Sequence, residues 1–157
     1  MRKRFTIVLM LSLAVLATSV PLSGLASANN IGNEGCTPGY WKNHTDNWEE
    51  YSPTQTLSEL WDFPASLSQF ESWTLLEALS AGGGTGITGA TRILLRAAVA
   101  AYLNAAHEGV GYPYRRFDQP GELEDQINAA LASEKRGVIL RLATKLDTAN
   151  NLGCPLN

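Results

Sequence analysis

Between Gly89 and His107 the chain reads GATRILLRAAVAAYLNAAH, where Ile93, Leu94, Leu95 and the run Ala97 to Leu103 leave almost no polar face. A helix that is apolar nearly all round has to be buried, so this stretch, about 89–107, is expected to be a central helix with the other segments wrapped on it. Its apolar run is interrupted at Arg92 and Arg96 and stops at Asn104, too short and too broken to span a bilayer. The polar groups fall on one line, because Arg92, Arg96, Asn104 and His107 follow steps of three or four through Ala100.

Flanking patterns predict the helices that cover it. Thr37 is placed to cap and Pro38 suits a first helical position, so a short helix is expected from Pro38 to about His44. Trp48, Tyr51, Leu57, Leu60, Trp61, Phe63, Phe70 and Trp73 follow without a sustained period. Such a segment is expected to be irregular and pinned by aromatic anchors in the core, with one helical turn at Ser58 to Asp62. A small hairpin in Tyr51 to Leu57 stays open. Thr74 to Ala81 reads as a helix with Leu75, Leu76 and Leu79 on one side, stopped by Gly82-Gly83-Gly84. Beyond a loop at Val110 to Gln119, Pro120 is expected to open a helix with Leu123, Ile127, Ala130 and Leu131 inward. Ser133 is expected to cap a last helix, Glu134 to about Ala149, with Val138, Ile139, Leu142, Ala143 and Leu146 as its inner stripe. The expected fold is therefore all-α, a small single-domain helical bundle.

The first residues change the picture of compartment. Arg2, Lys3 and Arg4 precede an apolar run from Phe5 to Leu16 and a small-residue end at Ala26-Ser27-Ala28, the pattern of an export signal cut after Ala28. Residues 1–28 are then signal, 29–35 a mobile polar lead, and 36–157 one helical domain. Cys154-Pro155-Leu156-Asn157 carries neither an apolar tail nor a sorting motif, so a secreted, extracellular product without membrane insertion is expected. The signal takes three of the 12 basic residues and none of the 15 acidic ones, which moves the net charge from −3 to −6. Such a surface is a poor partner for nucleic acid. The two cysteines, Cys36 and Cys154, bracket the domain, and in an exported protein they are expected to pair. In the chain-entropy account, closing so long a loop stabilises the fold by at most about 4 to 5 kcal/mol.

Candidate chemistry is sparse. Gly84, Gly86 and Gly89 spell G-x-G-x-x-G, but the phosphate-binding fingerprint needs a preceding strand, and a helix precedes it here. A flexible turn joining two helices is the expectation. His44 or His107 with Asp46, Glu108 or Asp147 offers acid–base or zinc chemistry, yet H-E-x-x-H and G-x-S-x-G are absent. Asp147, Asn150 and Asn151 offer oxygens to calcium, but three such groups at a helix end read first as a cap. Asn43-His44-Thr45 matches the N-x-T acceptor pattern inside an expected helix. Arg96 on an apolar helix must snorkel or meet a carboxylate, with Asp147 the first expected partner and Glu77 the second. No catalytic residue, metal or cofactor is assigned. The candidate polar cluster is Lys42, Asn43, His44, Arg92, Arg96, Asn104, His107 and Asp147.

The segment Cys36-Thr37-Pro38-Gly39-Tyr40-Trp41-Lys42-Asn43-His44 resembles the opening of a group of secreted, mostly bacterial proteins with a C-T-P-G-[YF]-W-K-N-H motif. The likeness continues through Gly82-Gly83-Gly84, Ile93 to Ala101, Leu103-Asn104-Ala105, Tyr112-Pro113, Asn128 to Leu131 and Leu146-Asp147 to Leu156. That group has no established activity, so the resemblance implies compartment and domain limits only. The expected function is an exported interaction or structural module that binds a surface polymer or another protein. The alternative is a small secreted hydrolase or metalloenzyme built on His44 or His107.

Overall fold

The computed structural model describes residues 32–117 and 119–156; the expected signal and residues 29–31 lie outside them. Five α-helices are present among the described residues: α1 Pro38–Asn43, α2 Leu75–Leu79, α3 Gly86–Ala106, α4 Leu123–Ala132 and α5 Arg136–Asn150. Helix α3 is the predicted central rod. Its residues from Ala97 to Asn104 are all buried, as a sequence apolar round its whole circumference requires. The other four helices all pack on it. Within the described residues no helix is long and apolar enough to cross a membrane.

The aromatic segment has less regular secondary structure and well-defined anchors. Of three short 3₁₀ turns, Thr45–Asn47, Leu57–Glu59 and Ala65–Phe70, the second and third carry Leu57, Leu67 and Phe70 into the core beside Trp61. Trp61 stands edge-on to Tyr102 of α3, with ring centroids 5.0 Å apart, so the bulky rings bury a chain that lacks a periodic face. Instead of a hairpin within Tyr51 to Leu57, Thr56 bridges antiparallel to Thr74. Both threonines head capping boxes, with Glu59 and Glu77 returning to their backbone N–H groups. These bonds hold the Glu77 carboxyl below its ordinary range.

Two helix starts differ from the sequence expectation. Pro120 lies in a turn, and α4 begins at Leu123 because Gly121 adopts a φ of 85°. The first N–H groups of α4, on Leu123 and Glu124, donate to the carbonyls of Arg115 and Arg116, which satisfies groups a helix start otherwise leaves open. Ser133 terminates α4 instead of capping α5; its hydroxyl donates to the Ala130 carbonyl, and Lys135 precedes α5. Helix α5 is also rotated from the expected stripe. Ile139, Ala143, Leu146, Ala149 and Asn150 are buried, whereas Val138 and Leu142 are half-buried at a surface groove against α4.

The glycine motif is a packing device. A Cβ on Gly89 would sit 2.1 Å from the Gly84 carbonyl carbon, so only glycine lets the turn press against α3. Arg136 donates to the carbonyls of Gly84 and Gly86, and the expected flexible turn is therefore clamped, with Gly86 and Gly89 inside α3.

The two ends meet at the disulfide Cys36–Cys154, which spans a sequence separation of 118. Gly35 of the expected mobile lead bridges to Gly153, and a Cβ there would lie 2.1 Å from the Ala149 carbonyl oxygen. Glu34 is held as well, because its carboxylate accepts from the Gly111 N–H at 2.7 Å.

Candidate functional site

The motif helix forms for local reasons. The Thr37 hydroxyl accepts from the Tyr40 N–H at 3.1 Å, and Pro38 occupies the first turn, where its missing donor costs nothing. Six residues give α1 an inner and an outer side. Trp41 points inward and is fully buried. Tyr40 is half-buried, while Lys42, Asn43 and His44 face solvent.

Trp41 leads to a buried polar network centred on Asn104. The Asn104 Oδ1 accepts from the Cys36 N–H at 2.7 Å and from Trp41 Nε1 at 3.1 Å. Its Nδ2 donates to the Cys36 carbonyl at 2.8 Å and to Asn150 Oδ1 at 3.0 Å. All four bonding positions of the carboxamide are used, and only this orientation presents oxygen to donors and nitrogen to acceptors. Asn150 continues the network: its Oδ1 also accepts from the Tyr112 hydroxyl at 2.8 Å, and its Nδ2 donates to the Ala97 carbonyl at 2.9 Å. Burial pushes the Tyr112 hydroxyl well above its ordinary range. Asn104 therefore fastens α3 to the disulfide end, and it is separated in role from the other members of the candidate cluster.

From the sequence Tyr112 is a loop residue within the motif likeness and Asn150 a calcium or cap candidate in the same likeness, and neither position by itself announces a buried bond. A signal for Asn150 existed: Ile139, Ala143, Leu146 and Asn150 continue one helical stripe, so the asparagine was due inside. Its inward turn separates it from Asp147 and Asn151, which stay exposed at the surface, with Asn151 Nδ2 donating to the Asp147 carbonyl. No group of three or more His, Cys, Asp or Glu residues positioned for a metal exists among the described residues.

The histidines lie in different settings. The Nδ1 of His107 accepts from the Gly109 N–H at 3.0 Å, which places the ring hydrogen on Nε2, 3.5 Å from a Glu49 carboxylate oxygen. Glu49 also accepts from the Glu108 N–H. This arrangement ends α3 and ties the 44–51 segment to it, and it leaves the ring no open lone pair for a general base. His44 is exposed and stacks on Tyr40, with ring centroids 4.4 Å apart and planes at 25°. Among the described residues no carboxylate lines its depression of about 420 Å³, where Asn43 and Asn151 supply amides. Asn43 Nδ2 donates to the Gly39 carbonyl at 2.9 Å.

The arginines do not form the expected pairs. Arg92 is exposed and lies over Trp73, 5.9 Å from the ring centroid. Arg96 is half-buried, and no described carboxylate lies within 4.0 Å of it. Glu77, the second expected partner, is committed to capping α2. Arg96, Lys42 and Asp147 instead line one open depression of about 440 Å³. Asp147 is too exposed to act as a buried counter-ion, so the charge on Arg96 is met by solvent. An arginine paired with a carboxylate lies elsewhere, in the 110–119 loop. Arg116 grips Glu50 through both carboxylate oxygens, at 2.7 and 3.0 Å, and donates to the Tyr51 hydroxyl at 2.8 Å.

Thus the candidate cluster divides. Asn104 and His107 are structural, Arg92 stands apart beside Trp73, and Lys42, Asn43, His44, Arg96 and Asp147 line two depressions that share Thr37, Gly39 and Asn151. Comparison with family models, curated proteins and solved structures finds no match for this chain.

Proposed function

We propose that the protein is an exported extracellular binding module, a disulfide-closed helical bundle whose contact face is the outer side of the motif helix. The observation that carries this reading is the division of the motif itself: Cys36 and Trp41 are spent on the core, while Lys42, Asn43 and His44 stand exposed along two adjoining depressions. Concave surface with a few polar groups and an aromatic face is the usual form of a ligand site. Both His107 nitrogens are engaged, and among the described residues no carboxylate lines the His44 depression, which favours binding over the hydrolase alternative.

The test is retention on isolated cell envelope. The purified protein is expected to sediment with envelope material, and His44→Ala combined with Asn43→Ala is expected to weaken retention, whereas Arg141→Ala on α5 leaves it unchanged. Equal loss in both variants, or no retention at all, would overturn the assignment of this face. Fractionating a producing culture into medium, envelope and cytoplasm tests export, and a product confined to cytoplasm would reject it.

A further inference from the structure

From the depression around Arg96 we propose a ligand class, resting on the binding-module reading above: the face takes an acidic sugar, with its carboxylate between Arg96 and Lys42. Both cations lie in one concavity of about 440 Å³, inside the roughly 300 to 1,000 Å³ typical of small-ligand sites. Neither has a described carboxylate within 4.0 Å. Arg96 rises from an otherwise buried stretch of α3, between Leu95 and Ala97, so its Cα is held by a packed helix. A planar guanidinium so placed matches a carboxylate through two parallel hydrogen bonds, and Lys42 adds a mobile point charge.

The remaining lining selects for more than an anion. Asp147 faces the same depression as an acceptor, and Ser80 and Asn151 offer a hydroxyl and an amide. A carboxylate beside an anion site disfavours bare phosphate or sulfate and favours a ligand that brings hydroxyl donors with its negative group. A uronic acid has both. The neighbouring depression shares Thr37, Gly39 and Asn151 and carries the stacked Tyr40–His44 pair. There an aromatic face can pack against the C–H face of the next sugar ring, so the two hollows fit successive residues of one polymer. The net acidity of the chain opposes general accumulation of polyanions, which restricts the contact to this basic pair.

Calorimetric titration of the full protein with polygalacturonate, alginate and hyaluronan tests the proposal, against pullulan as a neutral glycan, polyglutamate as a carboxylate polymer without hydroxyls, and inorganic phosphate. At least one uronate polymer is expected to bind, and Arg96→Gln and Lys42→Gln are each expected to weaken it about tenfold, the value of one charge-assisted contact. Asp147→Ala is expected to weaken it less, and His44→Ala to shorten the bound stretch of polymer. Thermal melts of the same variants control for folding. Binding of pullulan, polyglutamate or phosphate as tight as that of the uronates would overturn the acidic-sugar assignment, as would an unaffected Arg96→Gln. Envelope retention lost with His44 and Asn43, without binding of any uronate, would reject the ligand class and leave the binding face standing. Failure of both would reject the two together.

Discussion

Asn104 and Arg96 occupy the same helix, two turns apart on one line of polar positions, and their fates are opposite. Asn104 is fully buried and bonded at every position of its carboxamide. Arg96 is half-buried, and no described carboxylate lies within 4.0 Å of it. The difference follows from what each group needs when water is removed. A neutral carboxamide is satisfied by four ordinary hydrogen bonds, so it can be sealed inside at modest cost. A guanidinium sealed without a counter-ion costs several kcal/mol, so the fold opens a depression around it. One line of polar residues thus holds a lock at one end and an accessible charge towards the other.

The largest effect should come from breaking the lock. Asn104→Leu strands the Cys36 N–H and carbonyl and the Trp41 indole N–H, and it is expected to cost roughly 3 to 5 kcal/mol. Thermal melting should fall by about 10 °C or more; a change under a few degrees would show that these groups find other partners. Next comes the covalent fastening of the same point. Replacing both Cys36 and Cys154 by serine is expected to cost about 2 to 4 kcal/mol. Because Asn104 and the disulfide hold one segment, a cycle combining both changes should be non-additive by at least about 0.5 kcal/mol. Strict additivity in denaturant titrations would mean that they act on separate parts of the fold.

A smaller effect distinguishes the network by pH. Burial raises the folded-state value of the Tyr112 hydroxyl, and also that of Tyr102, so the unfolded chain loses these protons first as pH rises. Their contribution is complete below about pH 10, the ordinary tyrosine value, and declines above it. Melting temperatures measured from pH 8 to 11 should fall at the alkaline end. Tyr112→Phe should flatten that fall while costing about 1 kcal/mol at neutral pH for the lost bond to Asn150. An unchanged alkaline slope would remove Tyr112 from the explanation. The smallest effect belongs to the open charge: Arg96→Gln and Arg92→Gln are each expected to alter stability by no more than about 0.5 kcal/mol. A large loss at Arg96 would reveal a counter-ion and return it to the structural set.

The histidines extend the contrast. Both stood in the sequence as equal candidates for acid–base work, and only three-dimensional placement separates them. His107 accepts from Gly109 and faces Glu49, as the closing device of α3. His44 is stacked on Tyr40 at the surface. Neither spacing nor composition distinguishes a ring used to end a helix from one offered to a ligand.

What the sequence determined by itself is what depends on local period and local chemistry. The run Ala97 to Leu103 required burial, Thr37 and Pro38 required a helix start, the inner face of α4 followed from its three-and-four spacing, and two cysteines in a chain with an export pattern required each other. What tertiary structure decided is which polar groups meet. Asn104 reaches Cys36 across 68 positions and Tyr112 reaches Asn150 across 38, and no periodicity carries that information. The same holds for the start of α4, which takes its first acceptors from the loop before it, and for the turn of α5 that buries Asn150 and exposes Asp147. Apolar burial follows the pattern along one segment, whereas a hydrogen bond or a counter-ion depends on a second segment whose position is known only once the core has packed.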